Sequence, residues 1–196
     1  WRDVIAKAPT GTGKTFAFGI PMIEHVDAQC SDIQGLILAP TRELAIQIGD
    51  ELRGLLTYYQ GIRVAVLYGG AGIVGQAKQL EKKPQIVVAT PGRLLDLIGR
   101  KAVDLSRIHT LILDEADEML NMGFKEDLDA ILESVPQEKR VLLFSATLPL
   151  EVEKIAKTYM QDAQMVTVGE RNSGSDNVKH YFYMVHEKDR YAALKR

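Results

Sequence analysis

The chain has one cysteine, Cys30, among 196 residues. That excludes an intrachain disulfide framework and suits a reducing, cytoplasmic compartment. Cys30 lies in a polar stretch and reads as a bystander. No apolar run approaches the ~18 residues of a membrane-spanning helix, and no signal-peptide pattern is present. Charge of one sign is lacking too: 24 Lys+Arg stand against 26 Asp+Glu, a net charge of −2. Bulk charge therefore announces no nucleic-acid partner, and any such partner must be met by a local patch. His25, His109, His180 and His186 lack metal-ligand spacing and read as surface or linker residues. There is no internal repeat and no low-complexity tract. There is no initiating Met, and the charged pattern Glu187–Arg196 runs out without a stop signal, so both ends read as cut from something longer.

What is present is a core. Hydrophobic residues make up 46% and charged residues 26%, the balance of a soluble globular domain. Short β-branched runs recur: Val4–Ala6, Leu36–Ala39, Val64–Leu67, Ile86–Ala89, Leu111–Leu113, Val141–Phe144 and Met165–Val168. They are continuous rather than alternating, which predicts strands covered on both faces. Helical patterns lie between them, at about 13–27, 41–59, 73–82, 91–100, 115–134 and 149–160. Alternating strand and helix predicts an α/β fold, a three-layer α/β/α arrangement around a mostly parallel sheet of about seven strands. The Gly/Ser/Asn-rich segment 169–177 reads as a linker. A further strand-like run, Val178–Val185, and the helical pattern after it read as the start of a second domain. The expected layout is therefore 1–168, 169–177 and 178–196.

The first strand leads into Ala8-Pro9-Thr10-Gly11-Thr12-Gly13-Lys14-Thr15. This spacing fits the P-loop pattern, with Ala8 where the usual pattern has Gly. Glycines let successive N–H groups point inward, and the following helix adds its positive end. Lys14 supplies a cation for the β/γ-phosphates, and the Thr15 hydroxyl suits a Mg²⁺ ligand. Asp114 and Glu115 follow the fifth strand. Asp114 can hold Mg²⁺ beside those phosphates, and Glu115 is placed to orient and deprotonate a water. Acids also favour a helix N-terminus as plain caps, so that alternative stands beside this one.

Other strand ends are polar as well. Pro40-Thr41-Arg42, Gly69-Gly70 and Thr90-Pro91-Gly92-Arg93 offer hydroxyls, backbone N–H groups and arginines, which suit a nucleic-acid backbone. Thr41 and Thr90 could equally cap the helices they precede. Ser145-Ala146-Thr147 ends the sixth strand, where Ser and Thr usually cap the next helix; beside that stands its functional reading, a hydroxyl pair bonded to Asp117, coupling nucleotide state to domain movement. Met119, Met122 and Phe124 read as packing, and Lys82-Lys83 as a solvated turn.

As an ordered set these motifs resemble the first RecA-like ATPase domain of the DEAD-box RNA helicases, over essentially the whole chain. Ala8–Thr15 is similar to motif I, Pro40–Leu44 to motif Ia, Gly69-Gly70 to the glycine doublet, Thr90–Arg93 to motif Ib, Asp114–Asp117 to motif II and Ser145–Thr147 to motif III. The resemblance implies ATP and Mg²⁺ as cofactors, with Ala8, Pro9, Thr10, Gly11, Thr12, Gly13, Lys14 and Thr15 binding ATP. It implies Thr15 and Asp114 on the metal, and Glu115, Lys14 and Asp114 as the catalytic set. Pro40, Thr41, Arg42, Gly69, Gly70, Thr90, Pro91, Gly92 and Arg93 would meet RNA, and Asp117, Ser145 and Thr147 would couple the two. The helix opening at Arg93 looks like the one that bends RNA in this family. The family's adenine-reading Q motif would lie upstream of Trp1, and its second RecA-like domain, with an arginine finger, downstream. The expectation is an ATP-dependent RNA helicase whose isolated 196 residues are nearly inactive, with RNA, the second domain and ribonucleoprotein components as partners and no membrane. An ATP-gated RNA clamp and a related DNA-dependent translocase are the alternatives.

Overall fold

The computed structural model of the chain describes residues 2–9, 11–168 and 184–195. Thr10, the expected linker 169–177 and most of the run Val178–Val185 lie outside the described residues. Seven strands form one sheet: β1 (Val4–Lys7), β2 (Gly35–Leu38), β3 (Val64–Leu67), β4 (Ile86–Ala89), β5 (Thr110–Leu113), β6 (Arg140–Ser145) and β7 (Gln164–Thr167). Their order is β3-β4-β2-β5-β6-β1-β7, and every pairing is parallel. The expected strands match these to within a residue at every end.

Helices α1 (Lys14–His25), α2 (Arg42–Leu55), α3 (Ile73–Glu81), α4 (Pro91–Gly99), α5 (Ala116–Asn121), α6 (Lys125–Ser134) and α7 (Leu150–Tyr159) fill the crossovers, and a short α8 (Arg190–Leu194) lies near the end. Successive strand residues point to opposite faces. Ile37 and Ala39 therefore join Phe18, Met22 and Ile48 of α1 and α2 on one face. Leu36 and Leu38 join Leu94, Met119, Leu128 and Val152 of α4–α7 on the other. This is the expected three-layer sandwich.

Several expectations need correction. The run Met165–Val168, expected to be covered on both faces, falls on the edge strand β7, whose residues are exposed, and Met122, expected to pack, is exposed as well. The helical pattern 115–134 is two helices. Gly123 takes φ +86, its N–H donates to the Leu120 carbonyl, and Phe124 N–H donates to the Met119 carbonyl. That paired closure is a glycine-ended helix stop, and it separates α5 from α6. His109 is half-buried rather than a surface residue; its ring lies 3.0 Å from Thr110 Oγ1 and 3.4 Å from Gln34 Oε1.

One buried acid ties the sheet's far end together. Asp3 is 4% exposed. Its Oδ1 accepts from Val141 N–H (2.8 Å), its Oδ2 from Gln161 N–H (2.6 Å) and its carbonyl from Gln164 N–H (2.8 Å). The lead-in to β1 is thereby joined to β6 and to the segment entering β7, which a buried carboxylate can do because every acceptor has a donor.

Candidate nucleotide and nucleic-acid site

Because every strand runs the same way, all their carboxyl ends open on one edge, where ligands of open α/β sheets bind. Strand order then sorts the motifs. β1, β6 and β5 are consecutive in the sheet and carry Ala8–Thr15, Ser145–Thr147 and Asp114–Asp117. β2, β4 and β3 are the neighbouring block and carry Thr41-Arg42, Thr90–Arg93 and Gly69-Gly70. The phosphate-type motifs, split along the chain between β1 and the β5–β6 pair, are brought together on one half of the edge, and the backbone-type motifs fall on the other.

The first half is built around a buried ion pair. Gly11 and Gly13 adopt φ +83 and +80, which turns the loop into the start of α1. Gly13 is the N-cap of α1, no side chain caps that end, and its first turn holds no acid. The first N–H groups of α1 and its dipole are therefore directed outward, as an anion site requires. Ala8 N–H donates to the Ser145 carbonyl at 3.0 Å, and Thr12 Oγ1 donates to the Pro9 carbonyl at 2.9 Å. Lys14 Nζ lies 3.4 Å from Asp114 Oδ1, with the two side chains 9% and 3% exposed. Burial pushes the Asp114 carboxyl above its ordinary range, and the Lys14 ammonium opposes that push. Thr15 follows Lys14 in the first turn of α1. A hydroxyl and a carboxylate are oxygen donors of the kind a hard divalent cation takes. Among the described residues no group of three His, Cys, Asp or Glu could cage a metal by itself. A Mg²⁺ held partly by phosphate oxygens fits that sparse donor set.

Glu115 follows with φ +51 and ψ 52, a left-handed backbone rare for a residue with a Cβ. It occupies the N-cap position of α5, yet its side chain does not cap the helix. The capping alternative therefore fails for Glu115. Its N–H donates to Asp114 Oδ1 at 3.0 Å, fixing the Asp114 carboxylate against the Glu115 backbone.

Asp117 links this pair to the sixth strand. Its Oδ2 accepts from the Thr147 hydroxyl at 2.7 Å and from Thr147 N–H at 2.9 Å, while its own N–H donates to Ser145 Oγ at 3.3 Å. Burial pushes the Asp117 carboxyl up, but the hydrogen bonds from Thr147 and Ser145 outweigh it and hold the group below its ordinary range. A depressed carboxyl contributes stability above its unfolded pKa and loses it as pH falls through the folded value. Thr147→Val should therefore cost about 1.5–3 kcal/mol at neutral pH, the worth of a hydrogen bond to a charged group. The gap from the parent should close below about pH 4. Urea denaturation across pH checks both the size and the sign.

The second half is held by arginines. Thr41 Oγ1 does cap α2, accepting from Leu44 N–H at 3.2 Å; Thr90, buried at the N-cap of α4, makes no side-chain cap bond. The Arg42 guanidinium stacks over the Tyr68 ring, 5.0 Å from its centroid. Arg93 Nη2 donates to the Ala71 carbonyl at 3.1 Å, and its Nη1 is buried with no partner among the described residues. Gly70 turns the loop between these arginines with φ +78. Pro40 and Gly69 lie beside them in the same loops, with Pro91 opening α4 and Gly92 following it. The sequence did not single out Tyr68 or Ala71; an aromatic residue ahead of a glycine pair was the one signal available. Every expected site residue other than Thr10 stands on this edge.

Comparison with known proteins agrees with this architecture. A sequence model of the family described as DEAD/DEAH box helicase matches residues 1–155. The ATP-dependent RNA helicase CshA of Listeria monocytogenes is 47% identical over 195 residues, covering all of this chain and 37% of that protein. The DEAD-box ATP-dependent RNA helicase CshA of Geobacillus kaustophilus is also 47% identical over the whole chain, which covers 42% of it. A crystal structure of a DEAD box protein from the hyperthermophile Methanococcus jannaschii superposes with a TM-score of 0.81 at 44% identity, over 99% of this chain and 52% of that one. The chain thus spans about two-fifths of the curated relatives it matches. With the fold, the motif order and the family match in agreement, this chain belongs to the DEAD/DEAH box helicase family.

Proposed function

We propose that this chain is the nucleotide-binding lobe of an ATP-dependent RNA helicase, hydrolysing ATP to drive local strand separation of RNA. The observation that carries it is the buried Lys14–Asp114 pair at 3.4 Å, set beside an uncapped helix start and two left-handed glycines. Ala8–Thr15 would wrap the triphosphate, with Lys14 leaving Asp114 to meet the β/γ-phosphates. Thr15 and Asp114 would hold Mg²⁺, which when bound neutralises phosphate charge. Glu115 would take the proton of the attacking water. Asp117, tied to Thr147, would pass the state of the phosphate site to the strand end beside it.

Arg42, Gly70, Thr90 and Arg93, with Pro40, Thr41, Gly69, Pro91 and Gly92 around them, would meet the RNA backbone. Such contacts carry no base sequence, so binding is expected to be sequence-tolerant. The relatives named as RNA helicases support RNA over DNA as the polymer. In this proposal residues 1–168 form the first RecA-like lobe, 169–177 a linker and 178–196 the entry to a second lobe that supplies the rest of the site. A cytoplasmic setting suits the single cysteine. The test is ATP turnover by the natural full-length protein with RNA, with DNA and with neither, using Lys14→Ala as the blank. Stimulation by RNA alone is expected. Stimulation by DNA, or equal turnover in all three, overturns the proposal.

A further inference from the structure

The outer strand of the sheet carries an arrangement that neither the motifs nor the proposed chemistry uses. Among the described residues β3 pairs with β4 on one side only, and no other strand of the sheet meets the backbone groups on its other side. Helix α3 meets them with side-chain amides. Gln79 Oε1 accepts from Val66 N–H at 3.0 Å. One turn earlier, Gln76 makes two bonds to one residue: its Oε1 accepts from Tyr68 N–H at 3.1 Å and its Nε2 donates to the Tyr68 carbonyl at 2.9 Å. Gln76 is 3% exposed and is the one buried residue of α3. A polar side chain so placed is worth its desolvation only if both ends of the amide are satisfied, and here they are.

The residue it grips is a junction. The Tyr68 ring lies under the Arg42 guanidinium. Gly69 and Gly70 follow immediately, and the far side of the same turn is held by Arg93 Nη2 on the Ala71 carbonyl. The Tyr68–Gly72 loop is thus fixed at one end by Gln76 and at the other by Arg93. Through it three strand-end loops share one anchor.

We propose that Gln76 is a positioning residue for the nucleic-acid face: its two-sided grip on the Tyr68 backbone sets the Gly69-Gly70 turn and the Arg42–Tyr68 stack in the geometry that binds a phosphate backbone. The ligand part rests on the RNA-helicase proposal above. The positioning part does not, because it concerns the loop in the absence of RNA.

The test uses the natural full-length protein and compares Gln76→Leu with Gln79→Leu. Both remove an amide from the same strand edge, but only the first touches Tyr68. Binding of labelled single-stranded RNA with a non-hydrolysable ATP analogue is expected to weaken about tenfold in Gln76→Leu and to stay within about twofold in Gln79→Leu. Affinity for the fluorescent nucleotide is expected to stay within about twofold in both. Hydrogen exchange without RNA should rise over 68–72 in Gln76→Leu and not in Gln79→Leu. Unchanged exchange at 68–72 overturns the positioning role. Equal loss of RNA affinity in both variants, or a matching loss of nucleotide affinity, reduces Gln76 to general stability and overturns it too. A parent protein that binds no RNA overturns the helicase proposal instead, and the exchange comparison still decides the role of Gln76.

Discussion

Glu115→Gln in the full-length protein should lose ATP turnover by about 10²–10⁴-fold, the range a positioned general base contributes, while keeping its grip on nucleotide and RNA. Glutamine matches glutamate in shape but cannot take up a proton at neutral pH. It also tolerates the left-handed backbone at this position (φ +51) about as well, so the fold should be undisturbed. That backbone matters to the prediction. Holding a residue with a Cβ there costs on the order of 1–3 kcal/mol, and such strain persists where surrounding structure over-determines it. Here the Glu115 N–H is fixed on Asp114 Oδ1, and α5 begins directly behind it. Single-turnover hydrolysis measures the loss, and thermal melting controls for folding. A variant within about threefold of the parent would remove Glu115 from the chemistry. The same variant separates a helicase from an ATP-gated clamp. A clamp keeps or tightens its ATP-dependent hold on RNA after the substitution, whereas duplex separation that needs repeated turnover stops.

How much of this was legible beforehand follows from what each signal depends on. The seven strands could be read because each is a short continuous apolar run; fully buried ones such as Leu36–Ala39 and Ile86–Ala89 need no partner to be recognised, whereas β7 is exposed along its length and was legible only as an apolar run. The P-loop could be read because its glycine spacing reflects a local backbone need, met at Gly11 and Gly13. The order of strands could not. Along the chain the three backbone-type motifs, after β2, β3 and β4, separate the first phosphate-type motif from the other two. Only the crossovers of the sheet, β1 beside β6 and β2 beside β4, sort them into two blocks.

The break at Gly123 was hidden for a different reason. An apolar pattern with helical spacing continues across it, through Leu120, Phe124 and Leu128, and a single glycine does not reveal its φ. Tyr68, Ala71 and Gln76 were hidden because their roles run through backbone groups. No composition or spacing shows which carbonyl a glutamine or an arginine will find. Capping split the same way. Thr41 and Thr90 stand in similar sequence contexts, yet only Thr41 uses its hydroxyl on its helix.

Lys14→Met should be the most damaging single change to the fold as well as to nucleotide binding, because it leaves Asp114 buried without its counter-charge. Removing one partner of a buried ion pair typically costs about 3–5 kcal/mol. Both side chains here are under one-tenth exposed, so solvent can restore little of that. The loss should also depend on pH with a definite sign. Burial raises the Asp114 carboxyl, and Lys14 is the main group opposing it, so the variant's carboxyl should rise further. A carboxyl raised in the folded state penalises folding above its folded pKa, and the penalty disappears below its unfolded value. The gap between Lys14→Met and the parent should therefore narrow as pH falls toward the ordinary carboxyl range, about 4.

Adding Asp114→Asn removes the charge that Lys14 was neutralising. The double variant should recover most of the lost stability at neutral pH while still failing to bind nucleotide. Urea unfolding of the four proteins at two pH values, with nucleotide titration alongside, gives the complete cycle. If the double variant is as unstable as the sum of the two single changes, the pair is not coupled, and the 3.4 Å approach between Lys14 and Asp114 carries no energy that a phosphate would have to displace.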